Sequence, residues 1–206
     1  MDFVPPVTFL LSLITFISQA GLLLLLVLWL ARKHSTSFNQ FYVRIKLFFT
    51  ANVLVLAFMV TFTATLGSLF YSEIALYEPC RLCWFQRIFM YPQVIIFAVA
   101  LYKKTNDAFK YSIPLAIIGG LIAAYHYSIQ LIGLAKPSFS DACSMTGVSC
   151  VSTQILKFGY ITIPLMSLTA FVLLLVFAGW QSLRTISKKE INEMPQAIED
   201  GLDIPN

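Results

Sequence analysis

Four stretches of this chain run without a single Asp, Glu, Lys or Arg: Phe3–Ala31, Leu47–Ser72, Tyr111–Ala135 and Phe158–Leu183. Each exceeds the ~20 residues that carry a helix across a ~30 Å hydrocarbon core. A fifth, Ile88–Tyr102, has only 15 such residues. That is roughly 22 Å of helix, enough to span if Arg87 and Lys103 snorkel to the two interfaces. Composition agrees, at 58% hydrophobic and 12% charged, against about 45–50% and about 25% in a soluble domain. So little polar surface excludes a disordered chain and a water-soluble globular enzyme. The net charge of +4 is too small, and too one-sided in its placement, to suggest nucleic-acid binding. The reading is an all-α integral membrane protein with five transmembrane helices and no soluble domain.

The loops set an expected orientation. Arg32, Lys33, Arg44 and Lys46, then Lys103, Lys104 and Lys110, then Arg184, Lys188 and Lys189 all fall on one side of a five-span chain. That side holds 10 of the 14 basic residues, and the positive-inside rule makes it cytoplasmic. The N-terminus then lies outside and the C-terminus inside. The first span is not a signal peptide, since no basic segment precedes it and Arg32 and Lys33 follow it. The tail, closing on Glu190, Glu193, Glu199, Asp200 and Asp203, reads as a solvated, flexible end.

All four cysteines fall in the two outward loops. Cys80 and Cys83 form a Cys-x-x-Cys in the first, and Cys143 and Cys150 lie in the second. The charge argument chose the outward side without using cysteines, and outside the cytoplasmic membrane is where disulfides persist. Pro79 suits the first turn of a helix, which would place Cys80 and Cys83 at a helix N-terminus, where the dipole favours the thiolate. Arg87 follows Cys83 by four residues and Cys80 by seven, on the same helical face. Two inert loop disulfides, or a zinc site of four thiolates, are the bland alternatives.

His126 lies within the fourth span, about 13 Å below its outer end, with Gln130 one turn nearer the surface. Ionisable groups at such depth are functional by default. The choice is between a helix–helix hydrogen bond and a proton donor to a membrane-embedded acceptor near Arg87. Ala116, Gly119, Gly120, Ala123 and Ala124 read as close-packing positions.

Pro-Cys-Arg-Leu-Cys-Trp-Phe-Gln-Arg-Ile-Phe-Met-Tyr-Pro at 79–92 resembles the signature of the DsbB disulfide-bond formation proteins, most closely the BdbC-type branch. The resemblance continues through Ala-Tyr-His-Tyr at 124–127, the second cysteine pair, and Phe-Gly-Tyr-Ile-Thr-Ile-Pro at 158–164. It implies a four-helix membrane bundle over 45–183, with an extra transmembrane helix over 1–31 and a cytoplasmic tail over 184–206. It implies residence in the bacterial cytoplasmic membrane. It also implies reoxidation of an extracytoplasmic thioredoxin-like (DsbA-like) thiol oxidase, with electrons passed to a quinone, menaquinone or ubiquinone. Carried over by position, Cys83 contacts the quinone, Cys80 is its disulfide partner, and Arg87 stands at the quinone. Cys143 and Cys150 form the pair that exchanges with the soluble partner, Cys143 through the mixed disulfide. His126 and Gln130 are assigned to the quinone, and no metal is implied. Rival readings are a scaffold or transporter with structural disulfides, and a quinone reductase of the vitamin K epoxide type. The extra span Pro6–Leu30 and the close spacing of Cys143 and Cys150 depart from the family pattern, and the extra span has no role in the sequence reading.

Overall fold

Hydrocarbon offers no water to bond backbone N–H and C=O groups, so a chain this apolar must satisfy them within helices. The computed structural model describes residues 3–31, 36–136 and 149–200, with side chains excepted at 36–38 and from 183 onward. Helix α1 spans Val4–Ala31, α2 Thr36–Ala51, α3 Val53–Leu69, α4 Arg81–Lys103, α5 Ala108–Ala135 and α6 Ile163–Asp200. A π-helical turn, Phe70–Ile74, continues α3 outward. Among the described residues, five helices are long and apolar enough to cross a membrane, the expected number.

Four details differ from the sequence reading. Helix α4 begins at Arg81 and has 23 residues, because it is not limited to its charge-free part. Its N-cap is Cys80, so Pro79 precedes the helix instead of opening its first turn. The basic loop 32–46 holds most of α2, separated from α3 only by Asn52, whose side chain donates back to the Phe48 carbonyl at 3.1 Å. The fourth concerns the tail, where α6 runs on as helix through Asp200.

Helices α3 to α6 form the packed bundle, with Phe97, Ala116, Ala123, Phe171 and Leu174 at its buried centre. Lipid tails are as apolar as these side chains, so close approach and polar clamps hold such helices together. Gly119 supplies the close approach, since a β-carbon there would lie 2.3 Å from Phe171 Cζ. A clamp joins α4 to α5, where buried Ser112 donates to Gln93 Oε1 at 2.6 Å. Gln93 Nε2 in turn donates to the Phe89 carbonyl at 2.8 Å. Helix α1 sits against the side of this bundle through Gln19, which donates to Thr169 Oγ1 at 3.0 Å and accepts from Tyr160 at 2.9 Å.

The Gly119–Phe171 contact is testable. Gly119→Val should lower stability by about 1–3 kcal/mol, read as a lower unfolding midpoint in detergent. Gly120→Ala, whose β-carbon meets Phe171 only at 3.5 Å, should leave the midpoint near wild type.

Candidate active site

The end of the bundle at the α4 N-terminus gathers groups that the sequence keeps far apart. Cys80 is the N-cap of α4, with extended backbone (φ −69°, ψ 171°), and Cys83 lies one turn inside the helix. The two sulfurs are 3.5 Å apart, with Cys80 donating. Both are thiols, as is Cys150. The segment between α5 and α6 folds back so that Cys150 packs on Cys80, together with Ile129 and Val151. The Cys80 and Cys150 thiols are hydrogen-bonded to each other, and the backbone N–H groups of Arg81 and Leu82 also reach the Cys150 sulfur. The helix terminus thus serves the second pair as well as the first. Cys143 lies outside the described residues.

Burial decides the resting protonation. Desolvation, followed by the contact with Cys80, pushes the Cys150 thiol up to about 11, against the opposing pull of the Leu82 and Arg81 N–H groups. Cys80 is likewise pushed up to about 11, first by donating to Cys83 and then by burial. This corrects the expectation that the helix dipole leaves Cys80 as a thiolate: a thiol that donates to a neighbouring sulfur keeps its proton.

His126 is 1% exposed and uses both ring nitrogens. Nε2 lies 3.0 Å from the Cys150 carbonyl and 3.7 Å from Cys80 Sγ, while Nδ1 lies 2.9 Å from Gln86 Nε2. A carbonyl only accepts, so the proton is assigned to Nε2, and Gln86 then donates to Nδ1. His126 therefore faces the cysteines and Gln86, the residue before Arg87 on α4. One turn further out, Gln130 Nε2 donates to the Ser152 carbonyl at 3.3 Å, a second tie between α5 and the cysteine segment. Sγ of Cys80 and Cys83 and a ring nitrogen of His126 lie within 4.8 Å of one another, a soft donor set. A metal would have to break one of the two His126 hydrogen bonds to obtain a ring lone pair.

Below the thiols is a cavity of about 270 Å³, reached by Cys80, Cys83, Arg87, His126, Gln130 and Cys150. Arg87 Nη2 donates to the Ser68 carbonyl at 3.1 Å, where α3 approaches its π turn, and the guanidinium carbon lies 5.3 Å from the Trp84 ring centre. Arg87 Nε and Gln130 Oε1 are buried with no hydrogen-bond partner among the described residues. A buried donor and acceptor left open beside an apolar cavity suit a ligand with polar oxygens on an apolar body. Sequence reasoning missed Gln86 and Ser68. Gln86 falls within the 79–92 motif, but only the rotation of α5 reveals that it orients a histidine.

A family model described as "Disulfide bond formation protein DsbB" matches residues 50–181. The chain belongs to the DsbB family. A "Probable disulfide formation protein C 1" of Bacillus cereus is 47% identical over 117 residues, covering 56% of this chain and 81% of that protein. The "Disulfide bond formation protein C" of Bacillus subtilis is 43% identical over 123 residues, covering 59% and 86%. A "Probable disulfide formation protein" of Metapseudomonas resinovorans is 36% identical over 127 residues, covering 62% and 87%. No solved structure matches the chain significantly. As a DsbB family member the chain is a multi-pass membrane oxidoreductase of disulfide formation, and the matched region contains both cysteine pairs and all of the cavity except its α1 wall.

The raised thiol pKa values give a pH prediction. In fully reduced protein, alkylation of Cys150 followed by peptide mapping should accelerate with pH up to about 11, and a plateau near the ordinary cysteine pKa of ~8.5 would contradict the assigned burial. The linkage has the same sign. Each raised thiol contributes stability below its unfolded pKa, and that contribution disappears as pH climbs to about 11.

Proposed function

We propose that this chain is a membrane thiol:quinone oxidoreductase, with its cysteine face outside the cytoplasmic membrane of a bacterium. It reoxidises a thioredoxin-like thiol oxidase there and passes the electrons to a membrane quinone. The observation that carries the reading is the contact between Cys150 and Cys80, with Cys83 opening onto the cavity that Arg87 lines. It supports an electron path from Cys150 in the second cysteine segment to the Cys80–Cys83 pair at the cavity.

The chemistry is thiol–disulfide exchange throughout. A thiolate of the reduced partner attacks Cys143 of a Cys143–Cys150 disulfide, and Cys150 leaves as a thiolate. The N–H groups of Arg81 and Leu82 are placed to receive that charge. The partner's second thiol resolves the mixed disulfide, leaving Cys143 and Cys150 as a dithiol. Cys150 then attacks Cys80 of a Cys80–Cys83 disulfide, and Cys83 leaves as a thiolate on the Arg87 side. Attack of Cys143 on Cys150 restores the second disulfide and releases Cys80, to which His126 Nε2–H donates. A quinone supplies a two-electron, two-proton sink for the Cys80–Cys83 dithiol. The sum is partner dithiol plus quinone going to partner disulfide plus quinol, so electrons and protons balance.

The oxygens of a quinone match the open Arg87 Nε–H, a donor, and its apolar ring matches the cavity wall. For a two-electron couple ~30 mV is ~1.4 kcal/mol, so a lipid quinone can draw electrons from an oxidising partner. Quinone reduction by the purified protein, supplied with a reduced thioredoxin-like oxidase, tests the reading. Wild type should turn over, and Cys83→Ser and Cys150→Ser, folded as judged by circular dichroism, should each lose at least about 10³-fold in kcat/KM. Turnover in either variant at the wild-type rate contradicts the path. Arg87→Gln should raise the quinone KM about tenfold while leaving disulfide exchange with the partner intact.

A further inference from the structure

Helix α1 lies outside the region that the family model matches, yet it walls the cavity. Leu11, Ile14, Thr15 and Ser18 line it, at the i, i+3, i+4, i+7 spacing of one helical face. The helix touches both neighbours on that side. A β-carbon at Gly67 of α3 would lie 3.2 Å from Leu11 Cδ1, and Gln19 bonds Thr169 of α6 at 3.0 Å. An amide in a lipid-facing helix costs free energy unless paired. Both ends of the Gln19 amide are paired, through Thr169 and Tyr160. Phe9 and Phe16 add ring contacts to Phe158, at 6.1 and 5.7 Å between centres. These contacts set the rotation of α1 and turn its Leu11–Ser18 face toward the cavity, while Leu23, Leu24 and Leu30 face outward.

The cavity is elongated. Ser68, the partner of Arg87, and Met59 both line it. They stand nine residues apart on α3, roughly 13 Å of helix. That is more room than a single ring needs. Away from the Arg87 end, Met59 is 52% exposed, and Ile14, partway along α1, is 43% exposed although both line the cavity, so it opens to the lipid between α3 and α1.

We propose that α1 is the acceptor-selecting wall of the site, its Leu11–Ser18 face packing along the isoprenoid tail of a long-chain lipid quinone. The ring lies at Cys83 and Arg87, and the tail leaves between α1 and α3. This rests on the quinone reading above and assigns to α1 the preference for tailed over tail-less acceptors.

The test uses the full chain in detergent, a partner-coupled assay, and two acceptors: a tail-less naphthoquinone and a menaquinone with several isoprene units. Ser18→Trp, which narrows the tail channel, should raise the KM for the tailed quinone about tenfold with kcat held, and leave the tail-less KM within about twofold. Leu23→Trp, on the outer face of the same helix, should change neither. An unchanged tailed KM in Ser18→Trp, or an equal rise for both acceptors, overturns the proposal. A second measurement does not depend on a variant folding. A quinone carrying a photoreactive azide on its tail should label wild-type peptides from residues 3–31, competitively with menaquinone. Labelling confined to α3–α6, or no labelling, overturns the role of α1. Failure of wild type to reduce either quinone overturns instead the quinone reading on which it rests.

Discussion

The hydrogen bond from His126 Nε2 to the Cys150 carbonyl, 3.0 Å long and fully buried, holds the site together. It fastens an irregular outward segment to the interior of α5, and Gln130 repeats the fastening one turn away at the Ser152 carbonyl. Besides these two ties, Cys150 is held by its packing on Cys80 and Ile129 and by the Arg81 and Leu82 N–H groups. Because the imidazole also lies 3.7 Å from Cys80 Sγ, the residue that docks the segment is the one that senses the charge of the N-cap thiol. Gln86 completes the arrangement by fixing the tautomer from α4. Position, proton inventory and sulfur–sulfur contact thus depend on one ring, which explains why a histidine is tolerated so deep in an apolar span.

The N-terminus of α4 is the other shared resource. A helix start offers N–H groups that no intrahelical carbonyl claims, and here they meet sulfur. Cys80 takes the cap position, while Arg81 and Leu82 direct N–H groups at Cys150. One helix end therefore supports charge on either partner of an exchange. Donation to Cys83 and burial oppose that support at Cys80, and burial opposes it at Cys150, so in the reduced protein both thiols hold their protons more tightly than a free cysteine. Arg87, seven residues in, lines the cavity with Nε unpaired among the described residues, so a polar donor is left open on the cavity side of the thiols.

The bulk of the fold was legible because it follows from solvation alone. The charge-free stretches have the lengths of spans, and Cys80, Cys83 and Cys150 share one end of the bundle because they lie at the connections between spans. Small residues announced the seat of Phe171 at Gly119. What stayed hidden depends on helix rotation and on contacts distant in sequence. Nothing in the separation of Cys80 from Cys150 shows that their thiols touch, and nothing in Ala-Tyr-His-Tyr shows which way the ring points. Helix α2 was read as loop because its basic residues, Arg44 and Lys46, marked a membrane boundary and masked a continuing helical turn. Helix α1 had no assignable role from sequence because its function, like that of Gln19, resides in the neighbours it meets on α3 and α6.

The central claim is that Cys150 and Cys80 exchange directly, and disulfide trapping examines it without needing a quinone or a partner. The Cys83→Ala, Cys143→Ala double variant retains only these two thiols. Isolated from membranes with free thiols blocked on lysis, and mapped by non-reducing peptide mass spectrometry, it should carry a Cys80–Cys150 disulfide in most molecules. Recovery of both cysteines as alkylated thiols in folded protein, with no such disulfide under mild oxidation, would contradict the account.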